Sequence, residues 1–403
     1  MTDRVGVAIV GGGPAGAILA ARLALAGCEV VVLERALHWR WRAGGVFSSP
    51  ATMAALRSAG VDAATLATAA RPIAAMRVET ASGTTFRLTY GADEGGEPAV
   101  GFDRSSLDPA LLTLAETAGA EVRRGWTVTG VGLDTGQIDV RVRRPDGASV
   151  TLVPDVLVGA DGLRSVVARA AGVARPTFLG ERVGLTYHLA DQSERPCPDA
   201  RMRVLRDGYV GIAPVPGGRV NVGIVLGRSW RSRLARDGAT AVTAEIVRGV
   251  PSADDDPGTW RDGAPLDRIA GASPLGHRVT RRAGERWLLI GDAAGFLDPF
   301  TGEGLHRALV SAELAAAAIL ADRRGRHGAL AAYDRSMRRR FLAKDGVSWL
   351  VQAFLGQPAM FEYAASRVAV RPRVRATMGL VMGDLIPASR AFDPRYLAAL
   401  LAP

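Results

Sequence analysis

Apolar positions along this chain group into two kinds of run. Val5 to Val10 (VGVAIV), Glu29 to Leu33, Val156 to Gly159 and Trp287 to Ile290 are short and almost wholly apolar, the pattern of buried strands. Pro14 to Ala26 and Leu305 to Ala321 keep apolar side chains at helical spacing and predict helices that follow two of those strands. Residues 175–272 read differently. Arg201 to Val204 and Val220 to Ile224 are short alternating stretches set between Gly, Pro and Asp turns, which predicts antiparallel sheet. Val215-Pro216-Gly217-Gly218-Arg219 joins two such strands as a hairpin, and Met76 to Thr80 and Thr85 to Thr89 are further candidates for the same sheet. Past Arg340, Val347, Leu350, Val351, Phe354 and Leu355 recur at helical spacing until Gln357-Pro358 ends the helix.

The joints between strands and helices carry the chemistry. Gly11-Gly12-Gly13-Pro14-Ala15-Gly16 is a GxGxxG motif between the first strand and the first helix. Gly11 allows the tight turn, Gly13 lets the backbone approach a pyrophosphate, and Gly16 lets the helix pack on the strand. Phosphates there meet a helix N-terminus, where free N–H groups and the dipole favour negative charge. The second strand ends at Glu34, a carboxylate placed to accept hydrogen bonds from a ribose. The motif marks a dinucleotide site and leaves FAD or NAD open. Two later strands also end in polar loops that precede helices: Ala160-Asp161-Gly162 and Gly291-Asp292-Ala293-Ala294, the latter running on through Asp298-Pro299-Phe300-Thr301-Gly302-Glu303-Gly304. Strand ends are where ligands bind in open α/β sheets.

Composition removes several alternatives. The chain has 403 residues, 48% hydrophobic and 22% charged, which suits a soluble multidomain protein rather than a disordered or fibrous one. The net charge of +10 comes almost entirely from arginine, with Lys344 the one lysine. These arginines are scattered, without aromatic interleaving, so no nucleic-acid partner is expected. Cys28 and Cys197 form neither a disulfide framework nor a metal motif, and no metal is expected. Cys28 reads as a small hydrophobe packed between the first helix and second strand. The longest apolar stretch, Ala308 to Ala321, is broken by Ser311 and Glu313, which argues against integral membrane insertion. The N-terminus lacks the pattern of a secretory leader, so a cytoplasmic location is expected.

In order and separation, the motifs at Gly11, Asp161 and Gly291 resemble those of the FAD-dependent oxidoreductases that include the class A aromatic hydroxylases, the geranylgeranyl reductases and the flavin-dependent halogenases. The resemblance covers the chain to about Arg340. It implies an α/β (α+β overall) fold: a Rossmann-like FAD-binding domain of residues 1–74, 98–175 and 276–345, and an antiparallel β-sheet substrate domain of residues 75–97 and 176–275. Residues 346–403 form a C-terminal helical extension. The cofactor set so implied is Gly11, Gly13, Pro14, Ala15, Gly16, Glu34, Arg35 and Arg42 toward the ADP half, with Val128 against the adenine. Asp161, Gly291 and Asp292 follow, Asp292 toward the ribityl or pyrophosphate region, and Gly302, Gly304 and Leu305 lie by the isoalloxazine ring. Arg104, in the segment Gly101 to Asp108 ahead of a helix from Pro109 to Ala118, matches an Arg that contacts FAD. Where the family carries an Arg after the Asp-Gly motif, this chain has Ala168 with Arg169 beside it.

Gly208 to Pro214, followed by Val220-Asn221-Val222-Gly223, is similar to the YxWxFP and VNVG segments of the geranylgeranyl reductases. Tyr209 and Pro214 match, whereas Gly211 replaces the Trp and Ala213 the Phe, which opens volume in the pocket. Ala43 stands where those reductases carry a Cys, and the halogenases' Trp pair and lysine are absent. Tyr209, Gly211, Pro214 and His306 are therefore expected to line the pocket for a small apolar substrate, and the catalytic acid or base is left unassigned among Tyr209, Tyr187, His188 and His306. No second GxGxxG follows the first, so electrons are expected from transiently bound NAD(P)H or from a separate reductase. Three functions follow in order: a monooxygenase that hydroxylates or epoxidises an aromatic or polycyclic compound through a flavin C4a-hydroperoxide, a carbon–carbon double-bond reductase of the geranylgeranyl type, and a non-redox flavoprotein with a cyclase or binding role. The basic, amphipathic C-terminal segment is expected to pack over the core, with peripheral membrane contact as the alternative.

Overall fold

The computed structural model describes residues 2–91, 96–134, 136–177, 181–194, 196–251 and 258–402. The chain opens with β1 (Thr2–Val10), α1 (Pro14–Leu25), β2 (Val30–Glu34), β3 (Phe47–Ser48), α2 (Ala51–Ser58) and α3 (Ala63–Ala69). Strands β4 (Ala70–Ile73), β5 (Met76–Glu79), β6 (Thr85–Leu88) and β7 (Ala99–Phe102) lead to α4 (Arg104–Thr117). Next come β8 (Glu121–Arg124), β9 (Thr127–Asp134), β10 (Gln137–Arg143), β11 (Ser149–Gly159), α5 (Val166–Ala170) and β12 (Ala174–Pro176). Strands β13 (Val183–Ala190), β14 (Ala200–Leu205), β15 (Gly208–Val215) and β16 (Arg219–Leu226) precede α6 (Arg231–Arg248). Then follow β17 (Ala270–Ala272), β18 (His277–Val279), β19 (Trp287–Leu289) and the helices α7 (Gly304–Arg323), α8 (Ala329–Leu355), α9 (Pro358–Val370), α10 (Pro372–Met382) and α11 (Pro394–Leu401).

The uninterrupted apolar runs become one sheet of seven strands, ordered β8-β2-β1-β11-β10-β9, with β19 beside β11. Its β8, β2, β1, β11 and β19 pair in parallel, and β9 and β10 are antiparallel. Strands buried on both faces need apolar residues at every position. One face, with Ile9 and Val32, packs against Leu19 of α1, Leu111 of α4, Ile319 of α7 and Tyr333 of α8. The other, with Ala8 and Leu33, packs against Val140 of β10 and Val167 of α5. Cys28 is buried in the first cluster. Helix α7 is long and apolar enough to cross a membrane, and in this fold it packs in that core between α1 and α8.

The alternating runs form a second seven-stranded sheet, ordered β17-β13-β16-β15-β14-β5-β6. Alternation decides its faces. Leu185, Tyr187, Leu189, Val222 and Ile224 turn outward under Val242 and Ile246 of α6. Tyr209, Ala213, Met202 and Val225 turn inward, toward Phe47, Phe296 and Phe300 of the cofactor-side loops and Leu355, Met378 and Met382 of the C-terminal helices. The pairing of β5 with β14 is parallel, an exception in this otherwise antiparallel sheet.

Two expectations change. Helix α4 starts at Arg104 and not at Pro109, because Asp103 caps it, accepting from Ser105 N at 3.0 Å and from the Ser105 and Ser106 hydroxyls. That cap carries the helix past Pro109, the residue at which a helix start was expected. Further on, the boundary at residue 346 falls inside α8, which runs unbroken for 27 residues, so the extension grows out of a helix that also belongs to the main core.

Candidate active site

The three motif glycines do different physical work. Gly11 sits at φ +107°, and a Cβ there would lie 2.5 Å from the Ala160 carbonyl oxygen. A Cβ on Gly16 would lie 2.0 Å from Gly11 O, so the helix and turn touch through its missing side chain. Gly13 has nothing within 4 Å of that position, which leaves open space over the start of α1. No side chain caps α1, and the N–H groups of Ala15 and Gly16 have no partner among the described residues. Beside them, the buried Glu34 accepts from Gly12 N at 2.9 Å and Ala36 N at 2.9 Å, one bond per carboxylate oxygen, so each oxygen keeps a lone pair for a ribose hydroxyl. Arg35 and Arg42 are exposed on the loop that follows, and Val128 is half-buried on β9.

At the far end of the same face, Gly291 (φ +55°) donates to Ser311 Oγ at 2.9 Å, which fixes the turn that presents Asp292. The Asp292 carbonyl oxygen lies 2.7 Å from His277 Nε2, while its carboxylate has no donor among the described residues. Burial raises that carboxyl above its ordinary value, against the pull of the nearby Arg104, His277 and Arg307 charges. Asp161 is similar: Oδ2 accepts from Val166 N at 2.6 Å, Oδ1 is buried without a partner among the described residues, and burial raises its pKa. Arg104 forks onto Asp108 at 2.6 and 3.0 Å and donates to Gly45 O at 2.7 Å, tying the loop after β2 to α4. Gly302 (φ +66°) lies against Phe47, and Gly304 has nothing within 4 Å of its Cβ position. Helix α7 has no side-chain cap, so the N–H groups of Gly304, the buried Leu305 and His306 stay open among the described residues.

Two uncapped helix N-termini and two half-buried carboxylates short of donors lie along the carboxyl ends of one sheet. They fit an extended ligand with an anionic middle and hydroxyl groups on both sides, as a flavin dinucleotide has.

The facing wall is the inner side of the second sheet. Tyr209 is buried; its hydroxyl donates to Asp298 and its ring meets Phe300 edge-on at 5.0 Å. Arg182 pairs with the same Asp298 at 2.8 Å and donates to Gln352 of α8. Burial, then the Asp298 charge, hold the Tyr209 phenol well above its ordinary value, so it donates and stays neutral. Gly211 pairs with Gly223 in the middle of this face, where the Met202 side chain lies 3.6 Å from the Cβ position of Gly211, and Pro214 presents its carbonyl oxygen to Gly101 on β7. Tyr187 points to the outer face, under α6.

His306 is buried, and neither ring nitrogen has a partner among the described residues. Burial holds its pKa down, and the charges it feels belong to Asp384, Arg340 and Lys344, on α8 and the loop after α10. His188 has the partners: Nδ1 lies 2.6 Å from Asp267 Oδ2, Nε2 is 3.4 Å from the Asn221 amide, and the Trp41 ring covers the imidazole at 4.5 Å. Trp41 also donates its Nε1–H to Thr186 O at 3.2 Å. The sequence offered His188 as one candidate among several and Asn221 only as part of the VNVG resemblance, and gave no sign of Asp267 or Trp41. Asp267 lies 79 residues away with no motif around it.

Comparison with known proteins decides what the geometry is for. Residues 4–345 match the family described as FAD binding domain. The chain belongs to that family. It is 28% identical over 326 residues to a menaquinone reductase of Mycolicibacterium smegmatis, covering 78% of this chain and 76% of the relative. It is 26% identical over 331 residues to digeranylgeranylglycerophospholipid reductase 1 of Methanococcoides burtonii, covering 80% and 77%. In fold it is similar to a flavoprotein/dehydrogenase from Cytophaga hutchinsonii, with a TM-score of 0.82 at 17% identity over 98% of this chain and 95% of that one. The family makes this chain an FAD-dependent oxidoreductase.

Proposed function

We propose that the chain reduces carbon–carbon double bonds in an apolar isoprenoid substrate, with NAD(P)H as a transient electron donor. The observation that carries this reading is the apolar wall on the substrate side. Met202, Tyr209, Phe300, Leu355, Met378 and Met382, from the sheet, the cofactor loop and two C-terminal helices, converge in one cluster across a glycine-lined stretch of sheet. Such a wall accepts a hydrocarbon chain and offers few polar groups to orient a ring. The reductase relatives, one named for menaquinone and one for a digeranylgeranyl lipid, support the same chemistry.

In this reading Gly13, Ala15, Gly16 and Glu34 would hold the ADP half of FAD, and Asp161 and Asp292 would accept from its hydroxyls. Held there, FAD in its reduced form would supply the hydride for one carbon of the double bond. The neighbouring carbon then needs a proton. This reading assigns that proton to His188, whose Nδ1 lies 2.6 Å from Asp267 Oδ2 and whose ring the Trp41 ring covers at 4.5 Å. Tyr209, with its hydroxyl committed to Asp298, orients the cofactor loop. Gly211 and Ala213 put little side-chain bulk on this face, which motivates oxygenation of a ring substrate as the second reading.

The test is anaerobic incubation of the photoreduced holoenzyme with a geranylgeranyl compound that carries no quinone, read by mass spectrometry. Gain of two hydrogens supports reduction, and His188→Gln should slow it by about a hundredfold while flavin absorbance is retained. A product that appears only with oxygen and carries an added oxygen atom overturns it in favour of hydroxylation.

A further inference from the structure

The C-terminal helices turn apolar side chains outward as well as inward. Among the described residues, eight of the eleven large hydrophobic side chains left exposed lie between Leu342 and Leu401. Leu342 (73% exposed) and Trp349 are two turns apart on one face of α8, and Phe392 crosses between them: a Cβ on Gly346 would meet its ring at 3.0 Å. These three make one continuous strip. Tyr363, Val370 (70% exposed) and Leu401 make a second, joined where Tyr363 Oη donates to Leu401 O at 2.8 Å and Arg371 donates to Ala402 O at 3.0 Å. A soluble monomer scatters such side chains singly.

Charge selects the occupant. From Arg338 to the end of the chain there are ten basic and four acidic residues, so this segment carries +6 of the net +10. Arg373, Arg390 and Arg395 are exposed around the apolar strips. A second copy of the chain would set +6 against +6. Nucleic acid would answer the arginines but not the leucine and valine. Anionic phospholipid answers both, with headgroups on the arginines and acyl chains on the strips.

The geometry points to the outer side of α8 to α11 as a surface that docks on an anionic bilayer. The inner side of the same helices supplies Leu355, Met378 and Met382 to the apolar cluster facing the flavin loop, so a docked chain brings that cluster close to the lipid. This inference rests on the surface alone and does not need the reductase reading.

Flotation of the FAD-loaded protein with vesicles tests it, using phosphatidylcholine alone and phosphatidylcholine with phosphatidylglycerol in equal parts. Binding is expected only to the anionic vesicles and should fall with added salt. Reversing three exposed charges (Arg373→Glu, Arg390→Glu, Arg395→Glu) should weaken it by about a hundredfold or more, since each basic side chain near an anionic surface is worth roughly a factor of five. Leu342→Ser with Trp349→Ser should weaken it on the order of tenfold. Because the arginine variant alters only exposed side chains, retained flavin absorbance and melting temperature certify its fold. Equal binding to both vesicle types, no binding, or binding that neither variant weakens overturns the proposal, as does a dimer that the serine variant dissolves. Turnover of a short, soluble isoprenoid without vesicles separates the two readings. A variant that loses vesicles but keeps that turnover supports the docking surface, and a chain that floats but reduces nothing refutes only the reductase.

Discussion

Gly13→Ala and Gly16→Ala are the same chemical change three residues apart, and the structure expects opposite consequences. At Gly16 the new methyl would lie 2.0 Å from Gly11 O, well inside contact distance, so the turn or the helix must move. Overpacking of this kind costs about 1–3 kcal/mol or more. At Gly13 the methyl meets nothing within 4 Å, and φ −71°, ψ 179° suits any residue. The cost there is that of replacing an N-cap glycine with alanine, about 1 kcal/mol or less. The methyl would, however, fill the space over the open N–H groups at the start of α1. If the pyrophosphate lies there, losing one charge-assisted hydrogen bond of about 1.5–3 kcal/mol weakens FAD binding roughly 10- to 150-fold. Calorimetry on both apoproteins and titration with FAD, followed by quenching of flavin fluorescence, measure the two effects separately. The expected pattern is a Gly13 variant that melts near wild type and binds FAD poorly, beside a Gly16 variant with a clearly lowered melting temperature. Wild-type FAD affinity in Gly13→Ala would show that the pyrophosphate does not cross that residue, and the cradle assignment would fall.

Asp292→Asn should stabilise the apoprotein as pH rises. Burial raises the Asp292 carboxyl above its unfolded value of 3.8, so its contribution is fully present below that value and is lost as pH rises through the folded pKa. A neutral Asn escapes that loss: its melting-temperature advantage should be near zero in acid and grow toward neutrality, while FAD retention weakens, and a pH-independent difference would contradict the assignment. Lys344→Met should destabilise the chain by about 3–5 kcal/mol, because it strips the cation from a buried cluster. Lys344 Nζ lies 2.8 Å from Asp384 and 3.7 Å from Glu303, and donates to Val381 O at 2.9 Å. Urea denaturation and proteolysis within residues 356–402 would read the loss, and an unchanged midpoint would mean that the cluster does not hold the extension in place.

What the sequence by itself determined is the part governed by local geometry. A turn at positive φ and a helix packed on a strand demand glycine, so Gly11 and Gly16 announced themselves, and Glu34, Asp161 and Asp292 were found by their places at strand ends. Within β13, Tyr187 and His188 face opposite ways by strand alternation, which becomes usable only once the strand is known. Alternation does not show which of the two faces the flavin side, since that depends on where α6 lies. Tertiary structure alone decided the partnerships between distant segments. Asp267 with His188, Asp298 with Tyr209 and Arg182, and Lys344 with Asp384 and Glu303 are ordinary residues until packing brings them together. Their contact depends on the path of the whole chain, and no short-range period records it. His306 shows the limit most plainly: beside the cofactor loop in sequence, it turns toward α8 and the end of α10 because the first turn of α7 presents it to that neighbour.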